Sequence, residues 1–242
     1  FDAPLAPPPT GPVGGRLSQY TSAWSQITTD AWVFGTIQCG YRLEFTGTPE
    51  RLNVLRRTPV PPEKELAATL RTELQKLLSK GAVIEVASLP EDFYMSTFFL
   101  APKRGGKWRP ILNLKPLNRS IRPKHFRMET LHSILPLLSQ GWWATSIDLT
   151  DAYLHIPVHA EHRRFLTFML DGRKYMFKAL PFGLSTAPRV FTRITRVFGA
   201  HLRKIGVRIF MYLDDWLIVA PTPQIAARDT TRGVRDAEAL GW

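Results

Sequence analysis

The chain has 242 residues, 44% of them hydrophobic, with 32 Lys and Arg against 20 Asp and Glu, a net charge of +12 and a pI near 10.2. That length holds one large domain or two lobes with a true core, and no run of 18 apolar residues offers a membrane-spanning helix. The single cysteine, Cys39, excludes an internal disulfide and a cysteine zinc cluster, and the basic excess points to a polyanionic partner, nucleic acid foremost, over a basic protein with no such partner.

Residues 1–15 hold five prolines and three glycines and read as a flexible, disordered lead-in. They show neither the basic nor the apolar region of a secretion signal, so an intracellular setting, cytoplasm or nucleus, is expected. The missing initial Met suits a piece of something longer. Residues 16–60 form an N-terminal extension with Trp24, Trp32, Phe34, Tyr41 and Phe45, so part of it should be packed. Within it WVFGTIQCGYRLEF reads as two short strands around Gly35 and Gly40.

A helix follows, with Pro61 and Pro62 at its start, Leu66, Leu70, Leu74, Leu77 and Leu78 at helical spacing, and Gly81 as its stop. AVIEVA and STFFLAPK read as strands. KRGGKWRPILNLKPLN (103–118) reads as a hairpin turning at Gly105–Gly106 between basic flanks. Such a tip can close over phosphates or simply be solvated. Asn118-Arg119-Ser120 fits a glycosylation sequon, which carries no weight without a secretion signal.

Residues 129–139 read as a helix kinked at Pro136. WWATSIDLTDAYLHIPV gives a strand and a turn, and RFLTFMLDGRKYMFKALP a hairpin around Asp171–Gly172. Ser185 is placed to cap a helix whose apolar face is Val190, Phe191, Ile194, Val197, Phe198 and Leu202, ended by Gly206. Arg189, Arg193 and Arg196 form a second stripe on it, either a track for template phosphates or a solvated face. VRIFMYLDDWLIVA gives two strands meeting at a tight turn, with Trp216 in the core. Residues 224–242 read as a helix.

That tight turn raises a question. Asp214 and Asp215 sit inside an apolar run, and Asp148 ends another, TSIDLTDAY. A buried, unpaired carboxylate is costly, so such groups persist when they bind a metal or move protons. Two strands can bring Asp148 beside Asp214 and Asp215. Three carboxylates without Cys or His form a hard oxygen site suited to Mg²⁺ or Mn²⁺. Two such ions about 4 Å apart clamp the attacking and leaving oxygens of phosphoryl transfer. The competing reading of an isolated Asp-Asp is a plain turn.

SIDLTDAY, LPFGLSTAP and YLDD, in this order, resemble palm motifs A, B and C of the reverse transcriptase family, and KWRPILNLKPLN resembles the fingers segment before them. The resemblance covers residues 60–242. IDLTDAYLHIPV, FGLSTAPRVFT and YLDDWLI look most like the DIRS-type retroelements, with the Pao and Gypsy-like groups next. The resemblance implies an α+β fold with fingers over 61–145 and palm over 146–242, an antiparallel palm sheet packed on helices, and no thumb, the chain stopping where motif D begins.

The resemblance also implies roles. Asp148 and Asp214 would hold two Mg²⁺ ions, with Asp215 beside them. Tyr153 matches the steric gate that blocks a ribose 2′-hydroxyl. Asp151 and Ala152 lie where backbone cradles the triphosphate, and Arg109 with Lys103 would grip it, the Arg fork suiting phosphate oxygens. Pro181, Phe182 and Gly183 match the turn that shapes the nucleotide and template pocket, Phe182 standing where several retroviral enzymes carry glutamine. Tyr212 and Leu213 lie near the primer end. The implied activity is DNA synthesis from dNTPs on an RNA template and a DNA primer. Two rivals remain: an RNA-dependent RNA polymerase, against which Tyr153 argues, and a weak or inactive remnant that only binds nucleic acid.

Overall fold

Alternating and helical hydrophobic periods set most of the elements, and the computed structural model, which describes residues 8–103 and 106–242, shows where each one goes. The lead-in is not loose where it is described. Gly14 N–H donates to the Lys80 carbonyl and Gly15 N–H to that of Leu154, each at 2.8 Å. A Cβ on Gly14 would stand 2.2 Å from the Gly81 carbonyl oxygen, so only glycine lets this turn lie so close. The expectation of disorder for 1–7 falls outside the described residues.

A 3₁₀ turn over Arg16–Tyr20 leads into α1 (Thr21–Ile27) and α2 (Ala31–Cys39). Of the two strands expected around Gly35 and Gly40, the first is a helix instead, and the second is reduced to isolated bridges of Tyr41 with Val158 and Phe45 with Ile121. The Asp30 carboxylate accepts from Trp32 and Val33 N–H at 2.9 and 3.1 Å, which caps α2, and Val33, Thr36 and Ile37 turn inward one helical turn apart. Cap and packing override the β-propensity of this aromatic stretch.

The leucine-spaced helix is α3 (Lys64–Ser79), which begins two residues after Pro62 and buries Leu70, Leu74 and Leu77. Gly81 stops it, with its N–H on the Leu78 carbonyl. Then come β1 (Val83–Val86), β2 (Met95–Ser96), β3 (Phe98–Lys103), β4 (Lys107–Leu112), the single-turn α4 (Lys115–Asn118) and α5 (Leu131–Ile134). β3 and β4 form the predicted basic hairpin, with Lys103 opposite Lys107; Gly105 lies outside the described residues. The helix expected over 129–139 is shorter than its pattern: α5 is one turn and gives way to 3₁₀ geometry over Leu135–Leu137 at Pro136.

β5 (Trp143–Asp148) precedes the hairpin of β6 (Thr167–Leu170) and β7 (Arg173–Phe177), which turns through Asp171 and Gly172, both at positive φ. A four-stranded sheet runs β1-β7-β6-β2. α6 (Ala187–Lys204) follows. Its cap residue is Thr186 rather than Ser185, with no side-chain cap hydrogen bond, and the Ser185 N–H donates to Asn118 Oδ1. β8 (Ile209–Tyr212), β9 (Asp215–Ala220) and α7 (Pro223–Ala239) complete the chain. β5-β9-β8 is an antiparallel sheet with one face on α6 and α7, and Ile209, Trp216 and Ile218 are buried there. The fold is mixed α/β, and the N-terminal Leu17, Trp24, Ile37 and Tyr41 share one core with α6 and β9. Among the described residues no helix is long and apolar enough to cross a membrane.

Candidate active site

β5 and β9 pair in a register that sets Asp148 opposite Asp215, and the Leu149 N–H donates to the Asp214 carbonyl at 3.0 Å. β8 and β9 form a hairpin whose two turn residues are Leu213 and Asp214. Leu213 sits in the left-handed region at φ 51. The Trp216 indole N–H donates to its carbonyl at 3.0 Å and ties that turn to the core. The three aspartates therefore lie at neighbouring ends of two paired strands.

They are not buried, as the apolar context of YLDD had suggested. Asp148 and Asp215 are exposed and Asp214 is half-buried. Strand alternation sends Met211 and Trp216 inward, leaving Tyr212 and Asp215 outward. The desolvation cost is thus avoided by placement at strand ends rather than offset by a partner. Asp148 and Asp214 line one open cleft of about 390 Å³. Asp215 lines a different groove, with Tyr212, Phe210 and Leu217. Among the described residues no three His, Cys, Asp or Glu side chains are gathered closely enough to hold an ion.

The same cleft carries four cations, two of them paired with acidic neighbours, Lys76 with Glu73 and Lys80 with Asp151. Lys103 and Arg109 reach it from the β3–β4 hairpin, and Lys76 and Lys80 from the end of α3. These two α3 lysines were missed in the sequence; the signal was their interleaving with the buried leucines in KLLSK. Lys80 Nζ donates to Asp151 Oδ1 at 2.8 Å, so the Asp151 side chain is tied down while its backbone turns at φ 59. Ala152 behind it is buried. An all-oxygen pair fits a hard cation, since Mg²⁺ is ordinarily held by one or two carboxylates together with substrate phosphates and water.

Tyr153 is 8% exposed, its ring 4.9 Å from that of Phe182 and 5.3 Å from that of Phe191. Burial, with the Asp214 and Tyr212 groups adding, pushes its hydroxyl up to about 12, so it stays protonated at any working pH. Phe182 is half in solvent, with the Arg109 guanidinium 5.9 Å from its centroid. Gly183 follows at φ 97. Arg109 and Phe182 line the cleft, whereas Tyr153 is not part of its lining and packs, tilted, on the Phe182 ring.

The arginine stripe on α6 is a correction. Arg189 is 8% exposed and pairs with Glu44 at 2.9 Å. Arg193 pairs with Asp30 at 3.1 Å, its guanidinium 4.2 Å from the Trp32 centroid. Arg196 donates to the Arg127 carbonyl. Arg189 and Arg193 therefore pair with the N-terminal segment; Arg189 is closed off from a template path, while the Arg193 side chain keeps 41% of its surface in solvent.

Residues 101–237 match the family described as reverse transcriptase (RNA-dependent DNA polymerase). The chain belongs to the reverse transcriptase family. It is a reverse transcriptase domain of the retroviral and retrotransposon Pol kind: it is 28% identical over 198 residues to the Gag-Pol polyprotein of bovine immunodeficiency virus (strain R29), covering 75% of this chain and 13% of that one. It is also 25% identical over 156 residues to a retrovirus-related Pol polyprotein from transposon 412 of Drosophila melanogaster, covering 62% of this chain and 12% of that one. The reverse transcriptase domain thus spans about an eighth of these relatives' length. In fold it is similar to the prototype foamy virus protease-reverse transcriptase, with a TM-score of 0.62 at 19% identity over 81% of this chain and 25% of that one. A foamy viral protease-reverse transcriptase in complex with dsDNA gives a TM-score of 0.62 at 16% identity, over 98% of this chain and 51% of that one.

Proposed function

We propose that this domain is an RNA-directed DNA polymerase that adds dNTPs to a primer 3′ end by two-metal phosphoryl transfer. The observation that carries the reading is the cleft itself, which gathers Asp148 and Asp214 with Lys103 and Arg109 in one lining. Asp148 and Asp214 would hold two Mg²⁺ or Mn²⁺ ions, with Asp215 beside them. When bound, such ions supply Lewis acidity for the attacking 3′-hydroxyl and charge neutralisation for the departing pyrophosphate. Arg109, Lys103, Lys76 and Lys80 take the triphosphate oxygens, and the Asp151–Ala152 turn lies beneath them. Tyr153, packed on Phe191 and Phe182 next to the cleft-lining Ala152 and Leu154, would serve as the gate against a 2′-hydroxyl, so deoxyribonucleotides would be preferred and an RNA polymerase disfavoured. The Phe182–Gly183 turn closes the pocket, and Tyr212 with Leu213 lies at the primer end.

Within this reading residues 61–145 act as fingers and 146–242 as palm, residues 16–60 buttress the palm, and the motif spellings favour a DIRS-type retroelement origin. The carboxylates spread over two grooves favour a second reading, a nucleic-acid-binding remnant. Primer extension on poly(rA)/oligo(dT) with Mg²⁺ or Mn²⁺, beside an Asp214→Asn/Asp215→Asn double variant, separates the two. Incorporation lost in the variant supports the polymerase. Salt-sensitive binding with no incorporation leaves the remnant.

A further inference from the structure

We propose that Asn118 is a positioning residue that locks the Phe182–Gly183 turn and, through it, the wall of the nucleotide pocket. This rests on the polymerase reading of the cleft. Asn118 closes α4, beyond the β3–β4 hairpin, and its amide spans the gap to the turn ahead of α6. Nδ2 donates to the Gly183 carbonyl at 2.9 Å, and Oδ1 accepts from the Ser185 N–H at 2.9 Å. Both ends of one planar amide are thus committed to backbone on either side of Leu184. That match uses the donor and the acceptor of an amide together, which neither Asp nor Leu supplies.

The turn needs such a lock. Gly183 lies at φ 97, and a Cβ there would meet the Leu112 carbonyl oxygen at 3.1 Å. The Ser185 N–H precedes the first turn of α6, where backbone donors lack helical acceptors. On the far side, the Tyr41 hydroxyl donates to Thr186 Oγ1 at 3.0 Å, so the turn is pinned from two elements. What the lock holds in place is Phe182, which stacks on Tyr153 and lies under Arg109. Loss of the lock lets Phe182 swing and removes one of the two rings that pack on Tyr153, leaving Phe191. The amide nitrogen of the sequon is therefore engaged by the Gly183 carbonyl.

The test compares Asn118→Ala and Asn118→Asp with the unaltered chain, alone and in a Phe182→Ala background. The Asp variant keeps the acceptor for Ser185 but sets a carboxylate against the Gly183 carbonyl, so it is expected to fare no better than Ala. For each single variant the KM for dNTP should rise roughly tenfold, the scale of one or two lost hydrogen bonds, with kcat little changed and dNTP/rNTP discrimination narrowed. In the Phe182→Ala background Asn118→Ala should add almost nothing, because both act through one ring. Additive effects, or an unchanged KM and discrimination ratio, overturn the proposal. Amide hydrogen exchange over 182–186 supplies a readout independent of catalysis: Asn118→Ala should lose protection there while the middle of α6 keeps it, and unchanged protection also overturns it. If the unaltered chain incorporates no nucleotide, the polymerase reading fails by itself, and the exchange result still decides whether Asn118 holds the turn.

Discussion

Arg189→Met separates a structural cation from a nucleic-acid contact. Methionine keeps most of the aliphatic stem and removes the charge. The Arg189–Glu44 pair is 2.9 Å long, with side chains 10% and 25% exposed. Removing one partner of a fully buried pair costs about 3–5 kcal/mol, and an exposed pair is worth about 0–1 kcal/mol. Glu44 keeps some solvent and a second cation, Lys124, so an intermediate cost of about 2 kcal/mol is expected. Burial pushes the Glu44 carboxyl up, but Lys124 and Arg189 together outweigh it and hold it below the usual carboxylate range. For a chain of this size the loss lowers Tm by roughly 4–8 °C. Nucleic-acid affinity should meanwhile keep its salt dependence. A cation on a phosphate contributes about 0.9 to the slope of log K against log salt, so thermal melting and a salt titration together read both roles. An unchanged Tm with a slope flatter by about one would refute the internal clamp and restore Arg189 to the template path.

Trp24→Ala should cost about 3–5 kcal/mol in urea unfolding, because the side chain is fully buried and its indole N–H donates to the Leu240 carbonyl at 2.9 Å; an unchanged midpoint would make 16–45 a separable appendage. Stability should fall as pH drops from about 7 toward 4. Burial, with Arg16 beside it, holds His155 down to about 4, so the unfolded chain takes up that proton first, and the stabilisation present above the unfolded value near 6.5 is lost below it. His155→Gln should flatten this acid limb in urea midpoints taken from pH 7 to 5, and an equally steep limb would assign the loss elsewhere. Tyr153→Ala should raise ribonucleotide incorporation by about tenfold or more, the scale of one steric contact in a pocket, and an unchanged dNTP/rNTP ratio in primer extension removes the gate.

Local rules carried much of this fold. The Asp171–Gly172 turn, the leucine spacing of α3 and the apolar face of α6 each encode their geometry within a dozen residues, and the structure follows them. So does the YLDD hairpin, whose alternation fixes which side chains leave the core. The failures come from distance. α6 shows a clean arginine stripe, but Glu44 and Asp30 reach it from 145 and 163 residues away, and no local pattern announces them. The Lys80–Asp151 pair joins a helix end to a turn 71 residues on. α2 failed for a different reason: Trp32, Val33 and Phe34 favour strands, and Asp30 reads as an ordinary turn residue until its carboxylate is seen on two N–H groups.

The aspartate doublet finds its reason in the turn. A two-residue connection gives Asp214 to the cleft and leaves Asp215 on the strand facing the opposite groove, so adjacent residues serve two surfaces. Such a turn places a leucine at positive φ, at a cost of order 1 kcal/mol, and it persists only when its surroundings fix it. Trp216 does the fixing: its N–H holds the Leu213 carbonyl, and its ring lies 5.4 Å from Phe198 and 6.2 Å from Trp242. Trp242 in turn meets Trp24 at 6.3 Å and Phe191 at 5.5 Å, and Phe191 backs Tyr153. One aromatic cluster therefore seats the carboxylate turn, Tyr153 and the N-terminal helices together. The apolar residues around YLDD do not bury the carboxylates; they hold rigid the short turn that presents them.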